Sequence, residues 1–144
     1  MANAIYNSFK RGVLQGSYNL AGAPTLYIAL MGSNYSVDID THAYHSDLGT
    51  EVVTPSNYTA WIIPSGYTIT TNNTTEQGVL DMTDVLIANV TFGSAVNACV
   101  LFGSSGNGSA SDPLYAYIDF GSNQEVTAGT FQIQWAAGGV LSLT

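Results

Sequence analysis

Thr25-Leu26-Tyr27-Ile28-Ala29-Leu30-Met31 alternates two sets of side chains without a break, Leu26, Ile28 and Leu30 on one parity and Tyr27, Ala29 and Met31 on the other. A period of two is that of a pleated strand, whose successive side chains point to opposite faces. The same period returns in Val85–Phe92, Ala95–Gly103, Leu114–Phe120 and Thr130–Trp135, and a last strand is expected over Val140–Thr144. Ala136-Ala137-Gly138-Gly139 between the last two predicts a tight hairpin. Short strands separated by turn signals predict a mainly β chain, an antiparallel β-sandwich or jelly roll rather than βαβ units.

Working outward, the residues before the first strand predict a short N-terminal helix. Asn3 stands as its cap, Ile5, Phe9 and Val13 fall at i, i+4 and i+8, and Gly12 and Gly16 weaken its end. Helix is expected mainly over 3–14, with 40–47 as a second short candidate. One β-sandwich domain is thus expected over 1–144, with 1–22 as helix or arm and linker. Thr70–Gln77 and Ser104–Pro113 have loop composition. Pro55–Gly66 mixes Tyr58, Trp61, Ile62 and Ile63 with two prolines, which suits either an edge strand or an apolar surface loop.

The apolar stripe of the first helix has two readings. It packs on the chain's own body, or it forms an arm in which Ile5, Phe9 and Val13 dock on a partner with Lys10 and Arg11 beside them. Those two bases are the only ones in 144 residues, against ten acids, for a net charge of −8. Nucleic acid is therefore not an expected partner, because its affinity comes largely from neutralised phosphates. Phosphorylated substrates meet the same objection. No apolar run reaches the length of a membrane span, so no membrane partner is expected either. The opening MANAIYNSFKRG lacks the apolar centre of a signal peptide, and export is not expected.

Candidate chemistry concentrates in Asp38-Ile39-Asp40-Thr41-His42-Ala43-Tyr44-His45-Ser46-Asp47. Asp38, Asp40, His42 and His45 are weak metal candidates, since the spacing matches neither an EF-hand loop nor HExxH. The plainer reading gives Asp38 an Asx turn and makes Asp40 or Thr41 a helix cap. No metal, cofactor or catalytic residue is expected. There is no GxSxG elbow, and a glycosidase pair drawn from Glu76, Asp81 and Asp84 competes with their ordinary use in turns. Cys99 is the only cysteine, has no basic neighbour in sequence, and reads as an inert buried thiol. Tyr115 and Tyr117 share a parity opposite Ala116 and Ile118, which makes them candidates for a subunit interface or a glycan-stacking face.

Several blocks carry a family likeness. They are Asn7-Ser8-Phe9-Lys10, Leu26-Tyr27-Ile28-Ala29-Leu30, Tyr35-Ser36-Val37-Asp38-Ile39-Asp40-Thr41-His42, Gly78-Val79-Leu80-Asp81, Tyr117-Ile118-Asp119-Phe120-Gly121, and Phe131-Gln132-Ile133-Gln134-Trp135 through Leu141-Ser142-Leu143-Thr144. In this order, across nearly the whole chain, they resemble small structural proteins of tailed-bacteriophage particles, most of all capsid decoration, cement or head-stabilisation proteins. The resemblance implies a non-enzymatic virion protein, made in the host cytoplasm, that sits on the capsid exterior. Its implied partners are the major capsid protein and itself, as dimer or trimer. The chain departs from the family over Pro55–Pro64, where a glycine-rich turn is more usual. A carbohydrate-binding or structural module of a phage tail or fibre is the rival expectation.

Overall fold

The computed structural model describes residues 3–22, 25–51, 66–104 and 109–144. The chain is mainly β, with antiparallel sheets and one short N-terminal helix, consistent with a β-sandwich. In chain order the elements are β1 Ala4–Ile5, α1 Asn7–Leu14, β2 Leu26–Gly32, β3 Tyr67–Asn72, β4 Gln77–Met82, β5 Val85–Val90, β6 Val96–Gly103, β7 Leu114–Gln124, β8 Gly129–Ile133 and β9 Leu141–Leu143. Short 3-10 turns stand at Leu20–Gly22, His45–Glu51 and Ser109–Ser111. The strands form a sheet ordered β1-β7-β6-β2, a second ordered β3-β4-β9, and the pair β5-β8. Buried side chains from all three sheets and from α1 make one apolar core.

The alternating stretches become strands where they were expected, but their partners differ from the simplest reading. Gly138 and Gly139 do not close a hairpin between the last two strands. Instead β8 pairs with β5, and β9 crosses to β4 in register Leu80↔Leu141. The crossing is tight, for a Cβ on Gly139 would press into Val79 and the Leu80 carbonyl. Thr70–Gln77 is likewise no loop. Its first three residues complete β3, Gln77 opens β4, and only the four residues between the two strands turn. Threonine-rich composition reads equally as loop or as exposed strand, because threonine is polar and β-branched at once.

The N-terminal helix begins at Asn7 rather than Asn3, with Tyr6 in the cap position and no capping side chain. Asn3 does something else, accepting the Asp119 backbone N–H on Oδ1 at 2.9 Å, while Ala4 and Ile5 pair with Tyr117 and Ala116 as an edge strand. The candidate helix over 40–47 is replaced by a turn at Asp38–Thr41 and the later 3-10 segment. Residues 55–65 of the Pro55–Gly66 segment and 105–108 of the Ser104–Pro113 loop lie outside the described residues.

A register irregularity between Leu101 and Phe102 decides how β7 is used. Ala116 stands opposite Leu101 and Leu114 opposite Phe102, so Tyr115 is an extra residue in the ladder. A Cβ on Gly103 would overlap the Tyr115 ring. Gly103→Ala is accordingly expected to lower stability by about 1–3 kcal/mol, the usual cost of overpacking, read as a reduced urea midpoint at unchanged slope.

Candidate functional site

The N-terminal segment is fastened to the body by backbone bonds before any side chain acts. Tyr6 donates its N–H to the Tyr115 carbonyl at 3.1 Å, and Asn7 donates to the Ile39 carbonyl at 3.0 Å. The apolar stripe of α1 is thereby turned inward. Phe9 is fully buried, 4.6 Å from the Tyr115 ring and stacked 5.9 Å from Tyr18, and Ile5 and Val13 pack half-buried against the same core. Three of the five residues considered for docking thus serve the chain's own core. Lys10 and Arg11 are exposed, with Lys10 Nζ donating to Asn7 Oδ1 at 3.1 Å. Leu14, just beyond them, is 89% exposed. Gly12 is explained by packing, because a Cβ there would enter the Tyr18 ring.

Between α1 and the start of β7 lies an open groove of about 570 Å³, with Ser8, Arg11, Gln15, Tyr44 and Ser111 among its walls and Tyr115 beneath. Its lining mixes hydroxyl and amide groups with the rings of Tyr18, Tyr44 and Pro113, and carries one cation, Arg11. A second groove, of about 380 Å³, runs between β7 and β8 and includes Phe120, Gln124, Gln132, Gln134 and Trp135. Trp135 is held there by two bonds, its indole N–H donating to the Thr83 carbonyl and its backbone N–H to Asp84 Oδ1, both at 3.0 Å.

Tyr115 and Tyr117 form no exposed face. They are 3% and 4% exposed, and burial raises both phenols above their ordinary range, Tyr115 to about 12. Parity alone assigned them outward, but that face is covered as well: Phe9 and Tyr18 pack against Tyr115, and Tyr35 lies 6.1 Å from Tyr117. Neither ring is available to a sugar or a second subunit in this conformation.

The acidic, histidine-containing segment is a folded turn. Asp38 Oδ1 accepts the N–H groups of Asp40 and Thr41 at 3.0 Å each, the expected Asx turn, and hydrogen bonds from Thr41 and Asp40 pull its carboxyl below the usual range. Capping falls to Asp47 rather than to Asp40 or Thr41, for its Oδ2 accepts the Ala43 and Tyr44 N–H groups at 2.8 and 2.9 Å. Asp40 Oδ1 instead accepts from the Asn7 side chain at 2.7 Å. His42 Nδ1 lies 3.0 Å from the Tyr35 hydroxyl, which is itself 3.1 Å from that of Tyr6. His45 packs on the Phe102 ring at 4.7 Å, and burial pushes its imidazole down against the pull of Asp112. The four metal candidates are therefore divided among separate tasks. Among the described residues no three His, Cys, Asp or Glu side chains converge as a metal site.

The remaining reactive groups are similarly engaged. Asp81 Oδ1 accepts the Met82 N–H at 2.9 Å, Asp84 holds the Trp135 backbone, and Glu76 lies in the β3–β4 turn with a φ of 57°. Cys99 is buried, and desolvation drives its thiol far above the ordinary range. Sequence reasoning missed the exposed apolar side chains Leu14, Tyr44, Ile69 and Leu86. For Leu14 a signal existed, since it falls one residue past the Ile5-Phe9-Val13 stripe. Compared with known proteins, the chain matches no family, no curated protein and no solved structure.

Proposed function

We propose that this chain is a non-enzymatic structural protein of a virion, seated on the capsid exterior, where it clamps neighbouring copies of the major capsid protein. The sequence resemblance supports that reading, and one observation on the molecule gives it a contact surface. The outer side of α1 presents Leu14 beside Lys10 and Arg11, joining exposed apolar area to the only two bases of an acidic chain. Such a rim suits an acidic, partly apolar partner surface. The engagement of the candidate carboxylates, imidazoles and thiol in turns, caps and core favours a binding role over chemistry.

The test adds purified protein to capsids assembled without it and measures occupancy and resistance to heat. Burying Leu14 is worth roughly 1.5–3 kcal/mol, whereas rim charges contribute under about 1 kcal/mol each. Leu14→Ser is therefore expected to weaken binding about tenfold or more, and Lys10→Gln with Arg11→Gln to weaken it less and to flatten its salt dependence. Full occupancy by a folded triple variant would overturn this contact.

The groove at Trp135 favours a second reading, a glycan-binding module of a tail or fibre. An aromatic ring among Gln124, Gln132 and Gln134, with the Asp119 carboxylate on the same groove, is a lining that suits sugar hydroxyls. Saturable binding of a host-surface polysaccharide, lost in Trp135→Ala and without any capsid binding, would establish it instead.

A further inference from the structure

Strand β3 is an unusual edge. It borders β4 on one side only, and among the described residues no other strand covers its second side. From Thr68 to Asn72 every residue is exposed, the pairing with β4 runs through Tyr67↔Met82 to Asn72↔Gln77 without a bulge, and no Asp, Glu, Lys, Arg, His or Pro occurs between Gly66 and Thr75. Protective features that keep edge strands apart, charges, prolines, bulges and extreme shortness, are all missing. The rest of the chain carries the charge, so this neutral strip is a place where two copies at −8 approach without opposing carboxylates directly.

Register shows what the strip lacks. Tyr67, Ile69 and Thr71 stand opposite Met82, Leu80 and Gly78, and therefore share the core-facing side of the hairpin. Leu80 on that side is 2% exposed, yet Ile69 next to it is 48% exposed. Among the described residues, nothing closes the core at this rim. We propose that β3 pairs antiparallel with β3 of a second copy about a two-fold axis at Ile69, joining two three-stranded sheets into one. A two-fold pairing must set one residue opposite itself, because neighbouring pairs in an antiparallel ladder alternate in type. Centring it on Ile69 places the two isoleucines together on the core side, with Tyr67 and Thr71 of the two copies flanking them. Backbone bonds supply the attraction and the isoleucine pair supplies the register. A second copy fits better than a foreign strand because the strip offers no charge to select one, whereas its single large apolar side chain matches itself.

This inference goes beyond the virion reading and stands without it. A six-residue edge buries less than the roughly 1,000 Å² of a stable specific interface, so exchange between monomer and dimer is expected to be rapid. Sedimentation equilibrium of the full chain over a concentration series should show mass rising from one copy toward two. Ile69→Lys and, separately, Thr71→Lys should hold the mass at one copy while circular dichroism stays unchanged. Ile69→Cys should form a covalent dimer under mild oxidation, while Cys99 is buried and does not compete. Monomer at every concentration with no Ile69→Cys cross-link overturns the proposal. So does a dimer that persists in both lysine variants.

Discussion

Phe9→Ala is expected to cost about 3–5 kcal/mol, the range for removing a buried phenylalanine from a core that cannot collapse around the gap. Phe9 is the pin of the N-terminal segment, closing a three-ring cluster with the Tyr18 ring stacked against it and the Tyr115 ring tilted against it. Its loss also loosens the backbone bonds at Tyr6 and Asn7, which hold the segment to Tyr115 and Ile39. Domains of this size are stable by only about 5–15 kcal/mol, so the variant falls near the edge of folding. Lys10→Gln and Arg11→Gln, on the exposed side of the same helix, are expected to stay within about 0.5 kcal/mol of the parent. Chemical denaturation of the three variants checks this directly. Comparable stability of Phe9→Ala and the glutamine variants would mean that the helix is a detachable arm. Removing residues 1–14 should follow Phe9→Ala and unfold the chain, which separates the apolar stripe's structural role from the docking role left to Leu14 and the two bases.

What was legible in the sequence followed from local periodicity. Leu26, Ile28 and Leu30 announce a strand whatever they pair with, and the same holds for β5 through β9. Pairing was not legible, because it depends on which edge a strand meets after the chain has travelled. Leu141 and Leu143 look like the return of a hairpin from Ile133, but bind β4 instead. The reading of Tyr115 and Tyr117 failed because parity says which face a side chain takes and not whether that face is covered: residues of both parities are buried over Leu114–Tyr117, with Phe9 and Tyr18 against Tyr115 and Tyr35 beside Tyr117. The turn at Asp38 was legible because Asx geometry is decided within four residues. Capping by Asp47 was not, because it required knowing where the 3-10 segment starts.

Raising the pH is expected to unfold this protein through its tyrosines. Tyr6, Tyr18, Tyr35, Tyr115 and Tyr117 all have phenols raised above the ordinary value of 10.0, in each case first of all by burial. A phenol is charged when it loses its proton, so the folded state resists that loss and the unfolded state does not. The stabilisation is whole below pH 10, where both states keep the proton. It drains away as pH rises from the unfolded value toward the folded one. For Tyr115, raised from 10.0 to about 12, the two-unit difference corresponds to roughly 2.7 kcal/mol. Tyr6 is raised further, beyond the accessible range, and shares its hydroxyl with Tyr35 at 3.1 Å, so the phenols titrate as a coupled group rather than singly. All five losses act in the same direction, against a total stability of only about 5–15 kcal/mol. Stability measured against pH should hold level to about pH 10, then fall steeply, with cooperative unfolding before about pH 12. Phenolate absorbance of the buried rings should rise late, in a step that coincides with the loss of circular dichroism. Tyr115→Phe removes one ionisable hydroxyl while keeping the ring against Phe9, and should move the unfolding midpoint to higher pH. A smooth single-stage titration without unfolding would show that these rings are open to water and would refute the buried placement of Tyr6 and Tyr115 together.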